Sequence, residues 1–460
     1  MDSLAPTLPE TAALPPPAPK RGRLVRWAVA PFRFARRSPL LAVVALLGVV
    51  AFLAGTGVVS AAVWFNHHLK AAAREVEKGH NAAATRHLRL CQWVRPEQRD
   101  VLLLAARVSR RSGGWAEAEA LLDKYTTRYG DDEPLVLERL LLRAARGDLE
   151  ESVSQLAERM RRDGPEAALA REAVVTGLQY RFRWAEANQL LDDWLAKTPD
   201  HTIGLLLRGK LQEARQQSSE ALLSFRRVLE LDPEHDEARM RLTGMLIAQR
   251  QGEEALPHAD YLRRRIPKNA DIRLQWVKAL GLQGRAAEAR AALDGCLRDF
   301  PSHPGALAER ARYAALDGDD AAAEDFYEKA AKADPGNFPT RHQYSLALAR
   351  NGKKAEADKE QAALRILEAD SERINQLISG PLQSRPNDPA IHHEIGLIAM
   401  RSGQPTEALR WFQTAVQVGP DHLPSHQTLS AYYHDAGNPV LAARHRAIAQ
   451  NLSRRKPPTP

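Results

Sequence analysis

A small residue returns along this chain at a nearly fixed interval. Ala84, Ala118, Ser152, Ala187, Ala221, Ala255, Ala289, Ala323 and Ala357 are separated by seven intervals of 34 residues and one of 35, and Ala408 and Ala442 are again 34 apart. A unit of that size cannot bury its own apolar face. Neighbouring units must therefore stack and share one continuous core, which excludes a single compact fold of unlike elements.

The punctuation within each unit says what the unit is. Five places before the register residue stands a glycine in eight of eleven units, from Gly79, Gly113 and Gly147 to Gly403 and Gly437. Twelve places after it stands a proline in seven, among them Pro96, Pro233 and Pro420, and Gly130 and Gly164 take the same place in two more. Glycine ends a helix by adopting the left-handed conformation that side chains disfavour, and proline marks the stop of one helix and the start of the next. Between these marks a small residue, a bulky one four places on and another three beyond it share one helical face, as in Ala408, Phe412 and Ala415, Ala221, Phe225 and Val228, or Ala323, Tyr327 and Ala330. Each unit thus reads as a pair of helices.

With these offsets the sequence resembles the tetratricopeptide repeat family, whose 34-residue unit has a small residue, an aromatic and a proline in this arrangement. The resemblance runs from about residue 66 to 452, with "WAEA" at 115–118 and 184–187 and Ile395-Gly396 ahead of Ala408 among its best matches. It implies an all-α fold, an α-solenoid of stacked helix-turn-helix repeats, here preceded by one transmembrane helix. Two units depart from the pattern: Ser152 is followed by Arg159, and Ala357 by Gln361, where apolar residues are expected. The 51 residues from Ala357 to Ala408 exceed one unit by half. Leu367, Ile374, Leu377 and Ile378 then imply an extra helix or a long continuation of the ninth unit's second helix. The expected layout is a disordered tail over 1–38, a transmembrane helix over 39–65, about nine repeats over 66–369, an irregular helical insert over 370–390, two further repeats over 391–452 as a semi-independent block, and a basic disordered tail over 453–460.

The first 65 residues are of another kind. Six prolines lie within residues 1–20, and Ser38 to Phe65 contains no charge in 28 residues, whereas about 20 apolar residues suffice to cross a membrane. Seven Lys or Arg precede the run and three follow it closely, which predicts a cytoplasmic N-terminus and repeats on the extracytoplasmic, periplasmic side of a bacterial inner membrane. A cleaved signal peptide, with Val59-Ser60-Ala61 as cleavage site, is the rival reading, disfavoured by the length of the run. Arg36-Arg37 is followed by Pro39 and Leu40, a poor fit to a twin-arginine signal.

Charge argues against nucleic acid as a partner. Of the net +8, residues 1–39 account for +5 and the last eight for +3, so the repeats sum to zero with both signs interspersed. Cys91 and Cys296 share one repeat offset, otherwise Ala, Val or Leu, and read as small buried hydrophobes, far too distant along the stack for a disulfide. "HHEIG" at 392–396 lacks the second histidine of a zinc-protease helix, and Pro424 places His422 in a loop apart from His426, so no metal and no cofactor is expected. No phosphate loop or nucleophile elbow occurs, and no enzyme is expected.

What remains is a surface. In the resembling family the first helix of each unit lines a groove that holds a peptide. The matching positions are Leu103, Arg107, Leu137, Leu141, Leu206, Lys210, Met240, Leu274, Lys278 and Arg312, an apolar ladder beside four cations, suited to a peptide with apolar anchors and acidic groups. The alternative is that these leucines pack between helices. The expected function is a membrane-tethered scaffold that binds proteins or peptides and aids assembly or stability of an envelope complex. Competing readings are an organelle import receptor with cytosolic repeats and the substrate-binding arm of an enzyme.

Overall fold

The computed structural model describes residues 39–162 and 164–455, and within 39–58 the side chains of Val43 and Leu47 alone. The chain divides into two compact units, Met1–His68 and Leu69–Pro460, and the helix Pro39–Lys78 runs through the boundary. The tail expected over 1–38 lies outside the described residues, and so does most of the expected span over 39–65. Among the described residues no helix is long and apolar enough to cross a membrane. Of the side chains described there, Val43, Leu47, Val59 and Val63 are each more than half exposed, whereas Phe65 is buried.

From Asn81 onward helices alternate in antiparallel pairs, each second helix packing on the first helix of its own unit and of the next. No strand occurs among the described residues. The register residues form the core. Ala221, Phe225 and Val228 are fully buried, as are Ala408, Phe412 and Ala415, because alanine lets two helix backbones approach and the bulky residue fills the space beside them. Cys91 and Cys296 are buried among these apolar columns, and burial raises both thiols above their ordinary value.

One backbone conformation recurs in every unit. All eight glycines five places before the register have positive φ, between 71° and 86°. The three units that lack glycine there place Phe182, Gln216 and Arg250 in the same left-handed region, at 58°, 59° and 60°. The reason is the closing motif of the first helix. Gln216 N–H donates to the carbonyl of Glu213 at 3.0 Å and Gln217 N–H to that of Gln212 at 2.8 Å, which satisfies two otherwise orphaned carbonyls only if the intervening residue is left-handed.

The opposite end of most pairs has its own device, fourteen places after the register. Asp132, Asn269 and Asn337 accept from backbone N–H groups of the following helix's first turn, and His201, His235 and His303 do the same with Nδ1. Burial lowers the imidazoles of His201 and His235, which keeps the accepting lone pair free of a proton. Three of the chain's fifteen histidines are thus caps, and among the described residues no group of three potential ligands could hold a metal ion.

Of the two alternatives for the insert, the chain takes the long continuation of the ninth unit's second helix. Lys354–Ser379 is one helix of 26 residues, followed after Gly380 by the single turn Pro381–Ser384. Its end brings Leu377 and Leu382 into one cluster with Ile391, Ile395, Ile398 and Trp411. The two repeats beyond it are not set apart. Phe182 stacks on Trp411 with ring centroids 4.7 Å apart, the Arg410 guanidinium lies 4.5 Å from the Tyr180 ring, and Gln383 Nε2 donates to the Phe182 carbonyl at 3.1 Å. Residues 453–455, expected in a disordered tail, continue the helix Pro439–Arg455; residues 456–460 lie outside the described residues.

Candidate functional site

The first turn of the solenoid folds back on later repeats. Gly79, left-handed at φ 82°, ends the helix Pro39–Lys78 and aims His80 at a segment 152 residues away. His80 Nε2 lies 2.6 Å from Asp232 Oδ2 and Nδ1 2.7 Å from Glu75 Oε2, while the His235 ring meets the His80 ring edge-on at 5.4 Å. Both carboxylate contacts are hydrogen bonds at once only when both ring nitrogens carry a proton, since a neutral imidazole has a single N–H.

Beside this junction is a cavity of about 440 Å³, bounded by Asn81 and Thr85, by Arg111, by Lys210 and by the start of the helix Asp236–Ala248. Its apolar wall is Met240, Ile266 and Ile272. Among the residues that bound it, Asn81 Oδ1 and His235 Nε2 are buried and have no hydrogen-bond partner. Because His235 Nδ1 accepts from Ala238 N–H, its proton is on Nε2, so an unpaired acceptor and an unpaired donor stand among the cavity's residues.

Below the cavity lies a buried charge cluster. Arg111 clamps Glu172 with two bonds of 2.8 and 2.6 Å, also donates to the Val76 carbonyl, and Arg110 approaches the same carboxylate at 3.4 Å. Burial alone would raise the Glu172 carboxyl, but the two guanidiniums outweigh it and hold it at about 2. Burial lowers Arg110, whose Nε and Nη2 have no partner. Glu172 occupies the inner-face position that Leu137, Leu206 and Leu274 hold in other units.

A family model for the tetratricopeptide repeat matches residues 206–270 and 274–338. The chain carries tetratricopeptide repeats. No curated protein matches it in sequence. Among solved structures it is similar to PilW, described as a widely conserved type IV pilus biogenesis factor, at 18% identity and a TM-score of 0.39 over 44% of this chain and 94% of that one. It is also similar to a tetratricopeptide repeat protein from Parabacteroides merdae, at 15% identity and a TM-score of 0.30 over 62% and 99% of the two chains. A human IFIT1 dimer with m7Gppp-AAAA is similar at 13% identity and 0.37, over 83% and 88%.

Within the tetratricopeptide array the ten expected groove positions separate into two groups. Leu137, Leu141, Leu206 and Leu274 are buried, so they are spent on packing between helices rather than offered to a ligand. Leu103, Arg107, Lys210, Met240 and Lys278 are half-buried and Arg312 is exposed. Three of the four cations are neutralised from within: Arg107 by the buried Glu138, Lys210 by Glu237 at 3.1 Å, and Arg312 by Glu309. Only Lys210 and Met240 of the ten border the cavity. Of the four cations, Lys278 alone has no ion pair among the described residues, so most of the expected positive charge is already spent within the fold. His80, Asn81 and His235 were not among the expected positions; the offset shared by His201, His235 and His303 identifies His235 as a cap, but no local pattern places it beside His80.

Proposed function

We propose that this chain is a protein-binding scaffold, without catalytic activity of its own, whose tetratricopeptide repeats hold a segment of a partner protein in the cavity beside Asn81, Lys210, His235 and Met240. The observation that carries the reading is the pair of buried, unpartnered atoms among that cavity's residues, the acceptor Asn81 Oδ1 and the donor His235 Nε2, next to an apolar wall. The neutral, interspersed charge of the repeats favours protein over nucleic acid.

The finer reading is that residues 39–65 tether the scaffold to a membrane, with residues 1–38 cytoplasmic and the repeats extracytoplasmic, where it raises the local concentration of its partners and aids assembly or stability of an envelope complex. Its support is the 28-residue uncharged run and the excess of Lys and Arg before it. Cross-linking in intact cells, followed by purification of the full-length chain and mass spectrometry, tests the binding role. Reproducible partners lost on Met240→Asp and retained in an Arg264→Glu control are expected. Partners indifferent to Met240→Asp would remove the cavity from the account.

A further inference from the structure

The second helix of the first repeat, Asn81–Val94, differs in charge from the nine that come after it. Each of those nine, from Trp115–Tyr129 to Pro405–Val418, has at least one carboxylate in its first turn, whereas Asn81–Val94, like the last second helix, Pro439–Arg455, has none anywhere. Its buried side is ordinary, with Ala84, Leu88 and Cys91 against the core. Its outer side is not. Arg86, Arg89, Leu90, Trp93 and Val94 lie within one face by helical spacing and are all exposed, Trp93 to 85%. Other exposed large apolar residues of the repeats, such as Leu223, Leu316 and Ile366, stand alone on their helices.

An indole left in water next to a leucine, a valine and two arginines is the composition of a helix that lies at a membrane surface. The indole and aliphatic groups enter the headgroup region, and the guanidiniums meet lipid phosphates. Arg86 and Arg89 have no carboxylate partner among the described residues, so no described carboxylate competes for them. We propose that the outer face of Asn81–Val94 contacts an anionic phospholipid surface and so fixes the orientation of the first repeat at the membrane. This rests on the tethering reading for its setting, since Trp93 follows the uncharged run ending at Phe65 by only 28 residues, but its chemistry is independent of that run.

The test uses the full-length chain carrying Val94→Cys labelled with an environment-sensitive fluorophore; Cys91 and Cys296 are buried and stay unlabelled. The protein is incorporated into vesicles of phosphatidylcholine alone or with phosphatidylglycerol. A blue shift and loss of acrylamide quenching with phosphatidylglycerol only, abolished by Arg86→Glu with Arg89→Glu and kept in Arg264→Glu, is the expected result. A label equally open to acrylamide in both vesicles would overturn the proposal, and so would a shift produced by soluble polyglutamate but not by anionic vesicles, which would assign the face to an acidic protein. Alkaline extraction of the same vesicles reads the tether separately: protein released by it, with the lipid-dependent shift intact before release, removes the tethering reading and leaves the surface contact standing.

Discussion

The left-handed residue that closes the first helix of every repeat makes a prediction in which the same substitution has opposite signs at equivalent positions. Gln216 and Arg250 are exposed and make no side-chain hydrogen bond among the described residues, so they pay for left-handed backbone and receive nothing in return. That conformation costs a side-chain-bearing residue about 1 to 2 kcal/mol. Glycine removes this cost but loses about 0.5 to 1 kcal/mol more conformational freedom on folding. Gln216→Gly and Arg250→Gly should each therefore stabilise by roughly 0.5 to 1 kcal/mol, while Gln216→Ala, which keeps the steric cost, should not stabilise. Phe182→Gly gains the same backbone relief but loses a half-buried ring, at about 2 kcal/mol, and its stacking on Trp411, at about 1 kcal/mol, for a net loss near 2 kcal/mol. Urea unfolding of the full chain, followed by circular dichroism, measures all four. A lower midpoint for Gln216→Gly and Arg250→Gly, or a higher one for Phe182→Gly, would refute the argument that backbone strain and packing oppose each other at this offset.

Two further outcomes follow from buried charge. Glu172→Gln leaves Arg110 and Arg111 buried without a counter-charge and should destabilise by roughly 3 to 5 kcal/mol in the same unfolding assay; a change within half a kcal/mol would mean that the cluster is solvated. Burial, opposed by the Nε2 bond to the Pro386 carbonyl and by the Asp388 carboxylate, lowers fully buried His392 from 6.5 to about 4, and its Nδ1 has no partner to receive a second proton. A depressed folded value means that the unfolded chain binds the proton more readily. The contribution, about 3 kcal/mol at most, is therefore fully present above pH 6.5 and is lost as pH falls toward 4. Hydrogen exchange should show the helix Pro389–Arg401 losing protection across that window, and His392→Phe should flatten the loss.

The period made the helix pairs legible because each of its marks is local: a left-handed stop, a cap and a small residue act within a few residues of themselves. The three exceptions to the glycine rule obey the backbone requirement all the same, so the offset is the signal and glycine only its commonest bearer. What the period withheld is how far the stack coils, since that is the sum of small rotations from unit to unit. The contact of His80 with Asp232, and of Phe182 with Trp411, depends on that sum and on nothing near either residue. The misjudged charge of the inner face has a different cause. Cations were counted at one offset without the carboxylates that meet them from the next unit: Glu138 is 31 residues after Arg107 and Glu237 is 27 after Lys210, one repeat less part of a helical turn or two. Such pairs are readable in a periodic sequence, and they neutralise Arg107 and Lys210 from the next unit, leaving Lys278 as the one cation of the four without an ion pair among the described residues. Under the proposed function, the choice of partner rests on the cavity beside Asn81 and His235 rather than on that charge.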